Sequence, residues 1–159
     1  LKTQYGDFVT LNTQASTWTP NKNWKNERWQ ALVNKLSKNL KIIQIGSADE
    51  PVFENTERLA GSTSIRELFS LIKASRFHIG VVSFPKHAAA ALGKRSLIVY
   101  GGYEKASSSS YPGDINIESD IECSPCWLTE PCPFDLRCMK QIGIDEVSKA
   151  AFNLLDKSF

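Results

Sequence analysis

Residues 77–102, FHIGVVSFPKHAAAALGKRSLIVYGG, restrict the fold more than any other part of this chain. A β-branched apolar run over 78–82 meets the turn Ser83-Phe84-Pro85. Four alanines at 88–91 then predict a small-residue helix ending at Gly93, and a second apolar run over 96–100 stops at Gly101-Gly102. Strand, turn, helix and strand in that order predict a parallel βαβ unit. Such a unit brings the positive end of a helix dipole to the carboxyl edge of a sheet, where anions such as phosphates bind. Lys86 and His87 fall in the first helical turn, whereas His78, inside the strand, reads as structural.

The flanking segments repeat the alternation. Residues 7–12 (DFVTLN) predict a first strand, followed by a polar, Thr-rich loop over 13–23. Trp29, Leu32, Val33, Leu36 and Leu40 recur at helical spacing and give one apolar face. Residues 41–45 (KIIQI) predict a buried strand ending at Gly46, and the acidic residues Asp49, Glu50, Glu54 and Glu57 then fall in a loop and short helix. Ser64 and Glu67 fit a capping box at the start of another helix. Residues 105–114, with four consecutive serines, predict an exposed loop, and Val147, Ala151, Leu154 and Leu155 predict a closing helix. The fold class expected is α/β, a Rossmann-like open parallel sheet with helices on both faces.

At 159 residues the chain reads as one domain over 1–159 with a cysteine-rich loop at 122–139. A net charge of +2 with dispersed basic residues argues against nucleic acid as a partner. No apolar stretch reaches the roughly 20 residues needed to span a bilayer, so no transmembrane segment is expected. A start at Leu1 without a signal-peptide pattern reads as a piece of a longer polypeptide or a processed product. Four cysteines fall within sixteen residues, but the apolar content supports a core without disulfides and favours a cytoplasmic setting, peripheral attachment to an inner membrane being compatible with it.

Five segments, taken in order, resemble the C-terminal half of family-9 glycosyltransferases, the lipopolysaccharide heptosyltransferases of bacteria. Residues 21–29 (NKNWKNERW) are similar to that family's K-x-W-p-x-e-x-W segment, and 43–46 to its strand ending in Gly. Residues 59–68 (LAGSTSIREL) resemble its l-a-G-k-t-s-l-r-e-l segment. Residues 80–92 resemble G-x-D-[ST]-G-x-x-H-l-A-a-A-l, and 97–101 the strand that follows. The cysteines from Cys123 to Cys138-Met139 resemble a C-x-P-C…C-M element found in many members. The resemblance implies a GT-B architecture in which this half binds a nucleotide-diphospho-sugar donor. A half outside this chain would supply the general base and the acceptor surface, the acceptor being a glycan, a lipid-linked sugar or a protein. It implies no cofactor for catalysis, and it leaves self-association into a homo-oligomer open.

Carried over residue by residue, the resemblance assigns donor diphosphate and sugar binding to Thr17, Lys22, Ser83, Phe84 and His87. Negative charge builds on the leaving diphosphate during glycosyl transfer, so a fixed cation or helix N-terminus stabilises the transition state more than the ground state. Ser16 and Thr19 add hydroxyl donors near Lys22. Asp49 and Glu50 can accept from ribose hydroxyls, and Thr63 and Ser64 match the region lining the nucleobase. A solvated acidic loop and a capped helix start are the plain alternatives for these four. Val82 and Phe84 stand where the family has Asp and Gly. Valine cannot hydrogen-bond, and phenylalanine narrows the approach of backbone to ligand.

Cys123, Cys126, Cys132 and Cys138 supply four soft ligands in a proline-broken loop. Thiolates select zinc or iron in tetrahedral geometry. Autotransporter heptosyltransferases related to the family hold iron in a cysteine finger, so the resemblance implies structural zinc or iron; disulfides and free thiols stay open beside it. Two functions remain in play. One is the donor-binding half of a glycosyltransferase, and the other is a degenerate, non-catalytic domain acting in assembly or partner binding. An NAD-dependent dehydrogenase is excluded because no G-x-G-x-x-G follows the first strand.

Overall fold

The computed structural model describes residues 2–15 and 19–156. After a short helix α1 (Lys2–Tyr5), strand β1 (Phe8–Asn12) enters a core that buries all five of its residues. Near-continuous burial is the mark of a strand covered on both faces. Along β1, Val9 and Leu11 point into one apolar cluster and Phe8 into the other, as the two-residue period of a strand requires.

Helix α2 (Asn26–Leu36) buries Trp29, Leu32, Val33 and Leu36, and β2 (Lys41–Gln44) follows after Leu40, which is buried just outside the helix. A two-residue strand β3 (Glu57–Arg58) precedes α3 (Ile65–Ala74). Ser64 caps α3 as its sequence predicts: the Ser64 hydroxyl accepts from the Glu67 N–H, and the Glu67 carboxylate accepts from the Ser64 N–H. Strand β4 (His78–Val81), helix α4 (Phe84–Ala91) and strand β5 (Ser96–Gly101) form the expected βαβ unit. The chain closes with α5 (Ala106–Ser109), β6 (Ile115–Glu118), α6 (Arg137–Gln141) and α7 (Ile144–Asp156).

The six strands are all parallel, in the order β3-β2-β1-β4-β5-β6. Helices α2 and α7 cover one face, where Trp24 and Trp29 meet edge to face with centroids 5.0 Å apart. Such a pair adds about 1 kcal/mol to what burial alone gives. The indole of Trp24 donates to the Met139 carbonyl at 3.1 Å and ties the segment before α2 to α6. Helices α3 and α4 cover the other face through Leu68, Leu71, Ile72, Ala88 and Ala89.

Two expectations need correction. No helix forms over the acidic residues 49–57; Glu57 and Arg58 pair instead with Ile43 and Gln44 of β2 as an edge strand. The segment 105–114 is not only an exposed loop, since it carries α5, buries Ala106 and leads into the second edge strand, β6. Among the described residues no helix is long and apolar enough to cross a membrane.

Candidate functional site

The chain runs outward from β1 through β2 to β3, then returns to lay β4 on the other side of β1. The crevice outside the carboxyl ends of β1 and β4 is therefore the topological switch point, where open α/β sheets bind ligands. A cleft of about 550 Å³ opens there, lined by residues that include Asn12, Lys22, Glu50, Ser83, Phe84 and His87.

Asn12, the last residue of β1, bridges the floor of the cleft. Its amide donates to Glu50 Oε1 and to the Gln14 carbonyl at 3.2 Å, while its Oδ1 accepts from the Ser83 hydroxyl. With that hydroxyl engaged on Asn12, Ser83 occupies the N-cap of α4 without a side-chain cap bond of its own. Gly80 permits the close approach of β4 to β1, because a Cβ there would lie 2.7 Å from the Asn12 carbonyl. Gly46, at φ +130°, leaves room for Glu50; its Cβ would stand 2.9 Å from Glu50 Cγ.

Glu50 is buried, and its carboxylate accepts from the Thr13 N–H at 3.0 Å, the Thr13 hydroxyl at 2.7 Å and the Gln14 N–H at 3.1 Å. Burial raises its pKa, opposed by these same hydrogen bonds. The carboxylate thus frames the loop after β1. Asp49 is exposed and does not line the cleft. Thr63 lines a separate groove beside Tyr5 and Glu67, and Ser64 is occupied in its capping box.

Lys22 ends the 3-10 turn Pro20–Lys22. Asn21 anchors that turn by donating from Nδ2 to the carbonyls of Leu128 and Glu130, each at 2.7 Å. Thr19, also buried, donates its hydroxyl to the Leu128 carbonyl at 3.1 Å and is not among the residues lining the cleft. The Lys22 ammonium pairs with Glu104 Oε1 at 2.6 Å and lies 4.6 Å from the Tyr103 ring centroid. Thr17 and Ser16 lie outside the described residues.

His87 receives or gives a hydrogen bond at Nδ1 with the Tyr111 hydroxyl, 2.8 Å away. Burial and then the neighbouring Lys86 charge lower its pKa, so the imidazole is neutral at pH 7 and keeps one N–H donor. Lys86 itself is buried and is not among the residues lining the cleft: its ammonium donates to the Ser109 carbonyl and sits 4.9 Å from the Tyr111 ring. Val82 is buried in the cleft wall and Phe84 stands half exposed at its mouth.

Sequence reasoning missed Asn12, Glu104 and Tyr111. Asn12 ends β1 and Glu104 follows β5, and that position at the carboxyl edge of the sheet was the available signal for both; Tyr111 lies between α5 and β6. Nothing in the local sequence of Tyr111 marks its contact with His87.

The four cysteines are free, Cys138 buried and the others partly so. Among the described residues, no group of three or more His, Cys, Asp or Glu side chains is placed to hold a metal ion. The expected zinc or iron therefore has no assembled site among the described residues. What the cysteine loop does is brace its neighbours: the Cys126 and Trp127 N–H groups donate to the carbonyls of Gly102 and Tyr103, both at 3.1 Å.

Residues 3–135 match the glycosyltransferase family 9 (heptosyltransferase) profile. No curated protein matches the chain significantly. Among solved structures, TibC from enterotoxigenic E. coli H10407, described as an iron-containing dodecameric glycosyltransferase, aligns with a TM-score of 0.80 at 17% identity over 96% of this chain and 46% of its own. TibC has also been solved in complex with ADP-D-beta-D-heptose. E. coli ADP-heptose LPS heptosyltransferase II aligns with a TM-score of 0.76 at 18% identity, over 97% of this chain and 49% of its own. E. coli heptosyltransferase WaaC with ADP-2-deoxy-2-fluoro heptose gives 0.71 at 16% identity, over 96% and 45%. At these identities the likeness is one of fold, and the chain spans just under half the length of each of these structures.

Proposed function

The chain belongs to glycosyltransferase family 9, and from that premise we propose that it is the nucleotide-diphospho-sugar-binding half of a glycosyltransferase that passes a sugar to a glycan, lipopolysaccharide or protein acceptor. One observation carries the reading: Lys22, Ser83, His87 and the N-terminus of α4 line a single cleft at the β1–β4 switch point. TibC, with the same fold, has been solved with a nucleotide sugar.

In this reading the acceptor oxygen displaces the nucleoside diphosphate at the anomeric carbon with inversion. A general base outside this chain takes the acceptor proton. As the glycosidic C–O bond breaks, charge gathers on the departing diphosphate. The α4 dipole, the neutral His87 as donor and the Lys22 ammonium meet that charge without reorganising. Glu104 pairs with Lys22 and so fixes the direction of its ammonium.

A second reading, a non-catalytic domain acting in assembly or partner binding, is favoured by Val82. It puts a buried aliphatic side chain in the cleft wall, where the family has Asp. Calorimetry of the purified protein with ADP-, UDP- and GDP-sugars separates the two. Micromolar binding of one donor, weakened at least tenfold by Lys22→Ala, is expected for the transferase. Silence across the panel would leave the non-catalytic reading.

A further inference from the structure

The cleft has two ends of different chemistry. Lys22 is drawn toward the β5 side by Glu104, which follows that strand. Phe84 leans the other way, toward α3, where its ring meets Phe69 with centroids 6.0 Å apart at 41°. The lining on that side continues with Leu68 of α3 and with Gly46 and Ser47, which follow β2. Phe84 is 51% exposed although it lines a cleft and occupies the first position of α4. Leaving half of a phenylalanine in water forgoes the free energy its burial would give. Phe69 restrains the ring from one side and leaves the rest of it open to a ligand.

We propose that Phe84 is the platform on which the flat ring of a nucleoside stacks, while the diphosphate lies toward Lys22 and His87. This rests on the nucleotide-sugar reading and adds to it the subsite that separates a nucleotide from a bare diphosphate. Every nucleobase presents a π-face, so an aromatic platform gives affinity without choosing among bases. Stacking of this kind is worth roughly tenfold or more in affinity. A glycine at this position would offer backbone approach and no such surface.

The test is calorimetry of the purified protein with ADP, UDP and inorganic pyrophosphate, comparing wild type with Phe84→Ala and Phe84→Tyr. The side chain is half exposed, so both variants are expected to fold, and circular dichroism checks this. Phe84→Ala should weaken ADP and UDP about tenfold and leave pyrophosphate within twofold; Phe84→Tyr should keep all three. Nucleoside diphosphates that bind Phe84→Ala unchanged, or more tightly because the ring obstructs the cleft, would overturn the proposal. So would an equal loss for pyrophosphate, and so would a wild type that binds pyrophosphate but neither nucleotide. A wild type that binds none of the three probes sinks the nucleotide reading itself, not only the role of Phe84.

Discussion

The β4–α4 turn and the cysteine segment both stand out in the sequence, yet they are held in place in opposite ways. The turn projects from a central strand that is hydrogen-bonded on both sides, to β1 and to β5. Its backbone is ordinary, with Ser83 extended at φ −154°. The cysteine segment has no strand beneath it. It hangs on loop-to-loop hydrogen bonds to Gly102 and Tyr103 and on the contacts from Thr19 and Asn21. Three of its non-glycine residues, Trp127, Asp135 and Leu136, sit at positive φ, each at a cost of order 1 kcal/mol. A sheet can place Ser83, Phe84 and His87 with little help from their neighbours. The cysteine loop depends on the rest of the fold for its shape and in return steadies Lys22.

The largest effect should come from acid acting on the sheet side. His78 of β4 is fully buried, with Nδ1 3.1 Å from the Thr10 hydroxyl and no partner for Nε2 among the described residues. Burial pulls its pKa down to about 3. An unfolded histidine takes up a proton near pH 6.5, so between there and pH 3 the unfolded chain binds a proton that the fold refuses. The His78 contribution is complete above pH 6.5 and is lost as pH falls, at about 1.4 kcal/mol per pH unit. Glu50 acts in the opposite sense: its raised pKa gives stability below its unfolded value that fades as pH climbs through the folded one. Urea unfolding of wild type against His78→Phe, from pH 7.5 down to 4, isolates the first term. The gap between the two should shift in favour of the variant as pH falls, and a pH-independent gap would refute the buried neutral imidazole.

Next in size is the link between the two regions. Asn21 is buried and gives both amide hydrogens to the carbonyls of Leu128 and Glu130. Asn21→Ala removes the donor of the Glu130 carbonyl and leaves the Leu128 carbonyl to Thr19, and should cost about 1 kcal/mol in chemical denaturation. Because Lys22 is the next residue, donor affinity should fall as well. Lost stability with unchanged ligand affinity would show that the cysteine loop does not steady Lys22.

How much of this was legible in the chain follows the same division. The strong periodicity of β1, α2, α3 and the β4–α4–β5 unit announced them, because apolar spacing is a local signal. The edge strands were not legible: Glu57–Arg58 and the half-exposed Ile115–Glu118 carry no apolar run, and their pairing comes from the neighbouring strand. Of the residues that line the cleft, Lys22, Ser83 and His87 are ones the family resemblance singles out. Their partners Glu104, Asn12 and Tyr111 are not, since each contact joins segments distant in sequence. The cysteines show the converse: their spacing is compatible with chelation, yet among the described residues no metal-holding group is assembled, although Cys123 and Cys132 lie near enough to Cys138 to act on its thiol.

The smallest effects belong to those thiols, and they differ within the segment. Cys138 is buried in α6 against Gly102, where an added Cβ would lie 3.2 Å from its sulfur. Burial pushes its thiol pKa upward, so it carries less thiolate at a given pH and should alkylate slowest of the four. Cys123, Cys126 and Cys132 are partly exposed, and Cys123→Ser or Cys126→Ser should shift stability by no more than about 0.5 kcal/mol. Iodoacetamide labelling read peptide by peptide should therefore modify these three together and leave Cys138 behind. Equal rates at all four would contradict the burial of Cys138. Joint protection of all four, with a stoichiometric metal in elemental analysis, would mean that the loop gathers around an ion and that its path is set by coordination instead of by Gly102, Tyr103 and Asn21.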